Sequence, residues 1–123
     1  MKKKNQSGPS RARRDPSHLA RVAQARAFVH ARLAHYNRFY RMPVGRIFIR
    51  NQKTRWGSCS AKGNLNFNWR IITLPLPVAD YVVVHELCHL KEFNHSPRFW
   101  ELVARATPEH RAARKALRAV RLR

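Results

Sequence analysis

The chain has 123 residues, enough for one domain with its own core and too few for a separate substrate-binding domain. Its 26 Lys and Arg against 6 Asp and Glu give a formal charge of +20, which favours encounter with polyanions such as nucleic acid but says nothing about fold. Two cysteines outside any CxxC pair exclude a disulfide scaffold, and the lack of a long apolar run excludes a membrane-spanning helix.

Residues 1–18 read as a basic flexible tail, Lys2-Lys3-Lys4 through Arg14 being followed by no apolar run of the kind a signal peptide needs; a cytoplasmic location is expected. Residues 19–123 read as a single domain. A helix is predicted from His18 to about Tyr40, started by Asp15-Pro16, with Leu19, Val22, Ala23, Phe28, Val29, Leu33 and Tyr36 on its apolar side. Arg21, Arg26, Arg32 and Arg38 then form a solvated face, and His18, His30 and His35 take surface or boundary positions.

Met42-Pro43 closes this helix and Val44 to Arg50 reads as a strand. Ala61-Lys62-Gly63-Asn64 supplies a hairpin turn, which implies an antiparallel pair. The alternation in Asn64 to Trp69 sends Leu65, Phe67 and Trp69 toward the helices and Asn64, Asn66 and Asn68 to the other face, and the pattern extends through Ile71 to Thr73. That asparagine face belongs either to an edge strand able to hold an extended peptide by its backbone or to the wet side of a small sheet. Gly57 permits a tight backbone path beside Arg55, while Cys59 and Cys88 read as packed thiols.

Pro77 suits the first turn of a helix running from Val78 to about Lys91. Within it His85 and His89 are four residues apart and share one face, so both imidazoles can reach a single ion, with Glu86 between them. Asn94-His95-Ser96-Pro97 reads as a reversal that returns His95 toward that pair, with Ser96 capping the next helix. Pro108 separates this from a last amphipathic element around Ala112 to Val120. Three neutral ligands, His85, His89 and His95, leave a fourth position open, as in a catalytic Zn2+ site, and Glu86 is placed to act as general base on a metal-activated water. Tyr81, Arg55 and Asn66 are candidate oxyanion or substrate contacts, with Asn68 a further substrate contact.

The sequence resembles the YgjP-like (DUF45) family of metal-dependent hydrolases, related to zincin-type metallopeptidases, from about Leu19 to Glu109. The likeness rests on Arg55-Trp56-Gly57-Ser58-Cys59-Ser60, on Gly63 to Trp69, and above all on Tyr81 to His89 with Asn94-His95-Ser96 and Phe99-Trp100. It implies an α+β fold, a compact zincin-like domain with a small antiparallel sheet, a central helix carrying the His-Glu-x-x-His motif and flanking helices. It also implies zinc on His85, His89 and His95, a catalytic Glu86, and a peptide or protein substrate. Glu92 stands where metzincins have glycine, and a short basic tail stands where family members usually carry further strands. A more distant likeness to SprT-like and WLM proteases gives the alternative expectation: a basic nucleic-acid-associated protein or DNA-dependent protease with structural or catalytic zinc.

Overall fold

The computed structural model describes residues 15–120 and residue 122. Most of the expected tail therefore lies outside the described residues, while Pro16 to His18, counted with it, form the first turn of helix α1, Pro16–Tyr40. Asp15 starts that helix by accepting the Ser17 N–H through its side chain, and Pro16 pre-sets the first turn. At the other end Arg41 turns left-handed with φ 56°, and Asn37 clasps Met42 by accepting its N–H at 2.6 Å and donating to its carbonyl at 2.9 Å. The buried stripe of α1 is His18, Ala25, Val29 and Leu33, whereas Leu19 and Ala23 face outward. His18 is not a surface residue: its ring meets Trp69 edge-on at 5.7 Å.

Three short strands follow: β1 Ile47–Arg50, β2 Gly57–Cys59 and β3 Leu65–Asn68. β3 lies in the middle, antiparallel to β2 and parallel to β1, so the sheet is mixed and not antiparallel throughout as expected. The hairpin between β2 and β3 forms as predicted, with Gly63 at φ +85°, where a Cβ is disfavoured. The central place of β3 also corrects the edge-strand expectation, since the asparagine-bearing strand is paired on both sides and the sheet's edges are β1 and β2.

The strand pattern does not continue past Asn68. Trp69–Thr73 is a 3-10 helix, capped by the Asn68 side chain, which accepts the Arg70 N–H. The same side chain is 1 % exposed and donates to the carbonyls of Gln52 (2.6 Å) and Arg55 (2.9 Å), so the residue that ends the strand also ties down the approach to β2. An asparagine that bridges three backbone groups stabilises a turn more than a continued ladder.

Helix α2, Leu76–Cys88, buries nearly every residue from Val78 to Cys88, as befits the central helix. It ends earlier than predicted, His89 being its C-cap. Helix α3, Pro97–Ala106, starts at the Ser96 cap, whose hydroxyl accepts the Phe99 N–H, and helix α4 spans His110–Ala119. The core gathers Leu65 and Phe67 of the sheet, Val83, Val84 and Leu87 of α2, and Phe99 and Val103 of α3, each fully buried. One polar cluster locks α1 to α2: Asp80 accepts two 2.8 Å bonds from Arg32 and one from Tyr36 Oη. Arg32 is thus a structural residue, not part of a solvated face. No helix among the described residues is long and apolar enough to cross a membrane.

Candidate metal centre

Helix α2 brings His85 and His89 to one face, and the capped reversal at Ser96 returns His95. Their Nε2 atoms form a nearly equilateral triangle: 3.2 Å from His85 to His89, 3.0 Å from His89 to His95 and 3.2 Å from His95 to His85. Nitrogens about 2.0–2.1 Å from one ion at tetrahedral angles stand about 3.3–3.4 Å apart, so the triangle is the right size for a single small cation. Among the described residues this trio is the group whose metal-binding atoms converge within 4.8 Å of one another.

The outward nitrogens explain why Nε2 is the free one. His89 Nδ1 lies 3.0 Å from the Glu92 carbonyl, which can only accept, so its Nδ1–H donates and Nε2 keeps its lone pair; His85 Nδ1 is paired with Tyr81 Oη at 2.9 Å, which leaves its Nε2 facing the other two rings. Burial, together with the neighbouring histidines and Arg114, pushes His85 down to about 3; burial also lowers His89. Both rings are thereby held neutral, the form a metal requires. Phe99, fully buried, is the floor of the site: its ring stacks on His89 at 4.3 Å and meets His85 and His95 edge-on at 5.0 and 5.1 Å.

Glu86 is 6 % exposed, and its carboxylate makes no hydrogen bond among the described residues, though it keeps some contact with solvent. Burial raises its carboxyl to about 8, with Arg55 pulling the other way. A carboxyl this deeply placed, with no ion-pair partner among the described residues, is costly in a structural role and ordinary in a reacting one. β2 closes over it, since a Cβ on Gly57 would lie 3.0 Å from both Cγ and Oε2 of Glu86.

The other expected contacts divide. Arg55 is exposed, and its charge is felt at Glu86. Tyr81 is 4 % exposed, and its hydroxyl lies 2.9 Å from His85 Nδ1. Asn66 is half-buried with its carbonyl oxygen held by Arg50 Nε at 3.0 Å, and Asn68 is the buried bridge described above. Cys59 and Cys88 are pushed up to about 11 and about 12 by burial and remain protonated thiols. Sequence reasoning missed the place of Phe99 beneath the three rings, the Glu92 carbonyl, and the stacking of Trp100 on His95. Only Phe99 and Trp100 left a signal, as aromatics just after a predicted cap. A cavity of about 370 Å³ between α1, α2 and α4 includes Tyr81 but none of the three histidines. The candidate metal site is therefore separate from that cavity.

The family model for the YgjP-like metallopeptidase domain matches residues 2–120. Two solved structures are similar. The metallopeptidase zymogen abylysin of Pyrococcus abyssi is 27% identical with a TM-score of 0.65, over 72% of this chain and 90% of that one. The metallopeptidase zymogen jannalysin of Methanocaldococcus jannaschii, 19% identical with a TM-score of 0.56 over 78% of this chain and 97% of that one, shares the fold. No curated protein sequence matches significantly. With residues 2–120 inside the family match and three histidines placed so that they could hold one metal ion, the chain belongs to the YgjP-like metallopeptidase family and is a metal-dependent peptidase.

Proposed function

We propose that the ion is zinc, held by His85, His89 and His95, and that Glu86 is the general base of peptide-bond hydrolysis. The Nε2 triangle carries the proposal, because three neutral imidazoles at that spacing suit tetrahedral zinc and leave one position open. When bound, the ion supplies Lewis acidity, polarising the scissile carbonyl and making water acidic enough to attack near neutral pH. A nearby dication also favours the ionised form of Glu86, which burial alone opposes. Glu86 then accepts the water's proton and returns it to the leaving amine. Arg55, the exposed cation nearest in effect to Glu86, is left to stabilise negative charge on the substrate oxygen.

The free edge of β2 is the candidate peptide-binding strand. Asn68 N–H donates to the Trp56 carbonyl and Ser60 N–H to the Asn64 carbonyl, so residues 56, 58 and 60 direct their backbone groups at β3. Gly57 and Cys59 therefore present theirs outward, beside Glu86, where an extended peptide can add as a further strand. Zinc-loaded Glu86→Gln tests the reading: metal is retained, and hydrolysis of a peptide library falls by about 10²–10⁴-fold. Hydrolysis at the wild-type rate would remove Glu86 from the chemistry.

A second reading concerns association, not catalysis. His35, Arg38, Phe39 and Arg105 line a shallow cavity of about 460 Å³ without a carboxylate, and Phe39 is 59 % exposed. Cations around an exposed ring suit single-stranded nucleic acid. Binding of a labelled oligonucleotide that weakens steeply with salt and drops in Phe39→Ala supports this reading; no binding at low salt ends it.

A further inference from the structure

Two of the three metal-facing histidines are held by a hydrogen bond at Nδ1, one shared with Tyr81 Oη and one donated to the Glu92 carbonyl. His95 has no such bond among the described residues, and it is the exposed member of the trio. It is also the ligand most in need of orientation, because it sits in the connection before α3 while the other two belong to α2 and its cap. What faces its ring is an aromatic plane. Trp100 stacks on His95 with centroids 5.7 Å apart and planes 25° apart.

Trp100 is itself fixed from the C-terminal helix. Its ring stacks with His110 at 5.2 Å and 18°, and Arg114 Cζ lies 4.0 Å from its centroid. Phe99 meets it edge-on at 4.9 Å. α4 buries no residue completely, yet through these contacts it supports the ring against which His95 rests.

We propose that Trp100 is the positioning residue of His95, supplying by ring stacking the orientation that Tyr81 and the Glu92 carbonyl give the other two histidines. A flat face restricts ring tilt while leaving in-plane rotation free, so His95 is the most adjustable of the three ligands. Backing by His110 and Arg114 makes α4 part of the metal centre without any of its residues reaching the ion. The proposal rests on the metal-site reading above and concerns affinity and geometry at that site, not the chemical step.

The test is a double-mutant cycle read by metal affinity. Dissociation constants for Zn2+ and Co2+ are measured by chelator competition, with the cobalt visible spectrum, for wild type, Trp100→Leu, Trp100→Phe, His95→Ala and the His95→Ala/Trp100→Leu pair. Trp100→Leu weakens binding by about 10- to 100-fold and shifts the cobalt bands, the size expected for loss of an outer partner of a ligand. Trp100→Phe keeps a flat ring and restores most of the affinity. In the His95→Ala background Trp100→Leu adds less than about 2-fold, because its effect passes through His95. Trp100→Met, which keeps apolar volume without a flat face, carries the same expectation as Trp100→Leu and serves if the latter does not fold. Wild-type affinity in Trp100→Leu or Trp100→Met, or an equal loss with and without His95, overturns the proposal. A wild-type protein that binds neither ion in the same titration overturns the metal-site reading itself.

Discussion

The Cβ that Gly57 lacks would stand 3.0 Å from Oε2 of Glu86 and 3.1 Å from the Asn66 carbonyl. The strand that borders the cleft and the carboxylate assigned to proton transfer thus lie so close that a methyl group between them needs its neighbours to give by a few tenths of an ångström. Gly57→Ala forces Glu86 aside, because the other close atom is backbone. The expected outcome is a fall of about 10²-fold in kcat with zinc affinity within about 3-fold of wild type, the signature of a misplaced base. Steady-state kinetics alongside a zinc titration checks it, and full activity in Gly57→Ala rejects the contact as functionally significant.

Tyr81 separates two roles by the parameter it moves. As the partner of His85 Nδ1 at 2.9 Å, its loss in Tyr81→Phe lowers zinc affinity by about 10-fold and costs about 1 kcal/mol of stability. As an oxyanion donor it would instead lower kcat at saturating zinc. The phenol is 4 % exposed and already paired with His85 Nδ1, which favours the first outcome.

Asp80 carries the polar link between α1 and α2. Asp80→Ala leaves Arg32 and Tyr36 without their shared acceptor in a part-buried site, and a loss of about 2–4 kcal/mol is expected in urea unfolding of the metal-free protein. A loss under about 0.5 kcal/mol would show that the cluster is no better than a surface pair.

The metal-free protein has opposing titrations at its centre. His85, lowered from 6.5 to about 3, refuses a proton that the unfolded chain accepts, so stability falls as pH drops from about 6.5 to about 3. Glu86, raised from 4.5 to about 8, keeps a proton that the unfolded chain loses, so stability falls as pH rises from about 4.5 to about 8. The two slopes oppose one another between about pH 4.5 and 6.5. Thermal unfolding in chelator is expected to peak in that window, and Glu86→Gln is expected to remove the decline on its alkaline side. A decline unchanged in Glu86→Gln assigns it to other groups.

Much of the centre was legible in the chain because its determinants are local. Four-residue spacing puts His85 and His89 on one face, and a Ser-Pro cap three residues into a reversal brings His95 back. The hairpin at Gly63 is local in the same way. What escaped depends on pairing across distance: β1 beside β3 in parallel, Arg32 meeting Asp80, His18 turned inward to Trp69. Asn68 misled the alternation because its side chain competes for backbone groups, ending the strand it seemed to continue. Helical spacing puts Tyr81 on the face of His85 but does not say which atom of His85 its hydroxyl meets.

The most direct measurement is the anomalous difference density, collected on either side of the zinc absorption edge, of a crystal grown with one equivalent of zinc. One peak per chain is predicted, about 2.0–2.1 Å from Nε2 of His85, His89 and His95 and bound by no fourth protein side chain. A chain that takes up no zinc, or a peak whose fourth position is filled by a protein side chain, would contradict the account of an open catalytic centre.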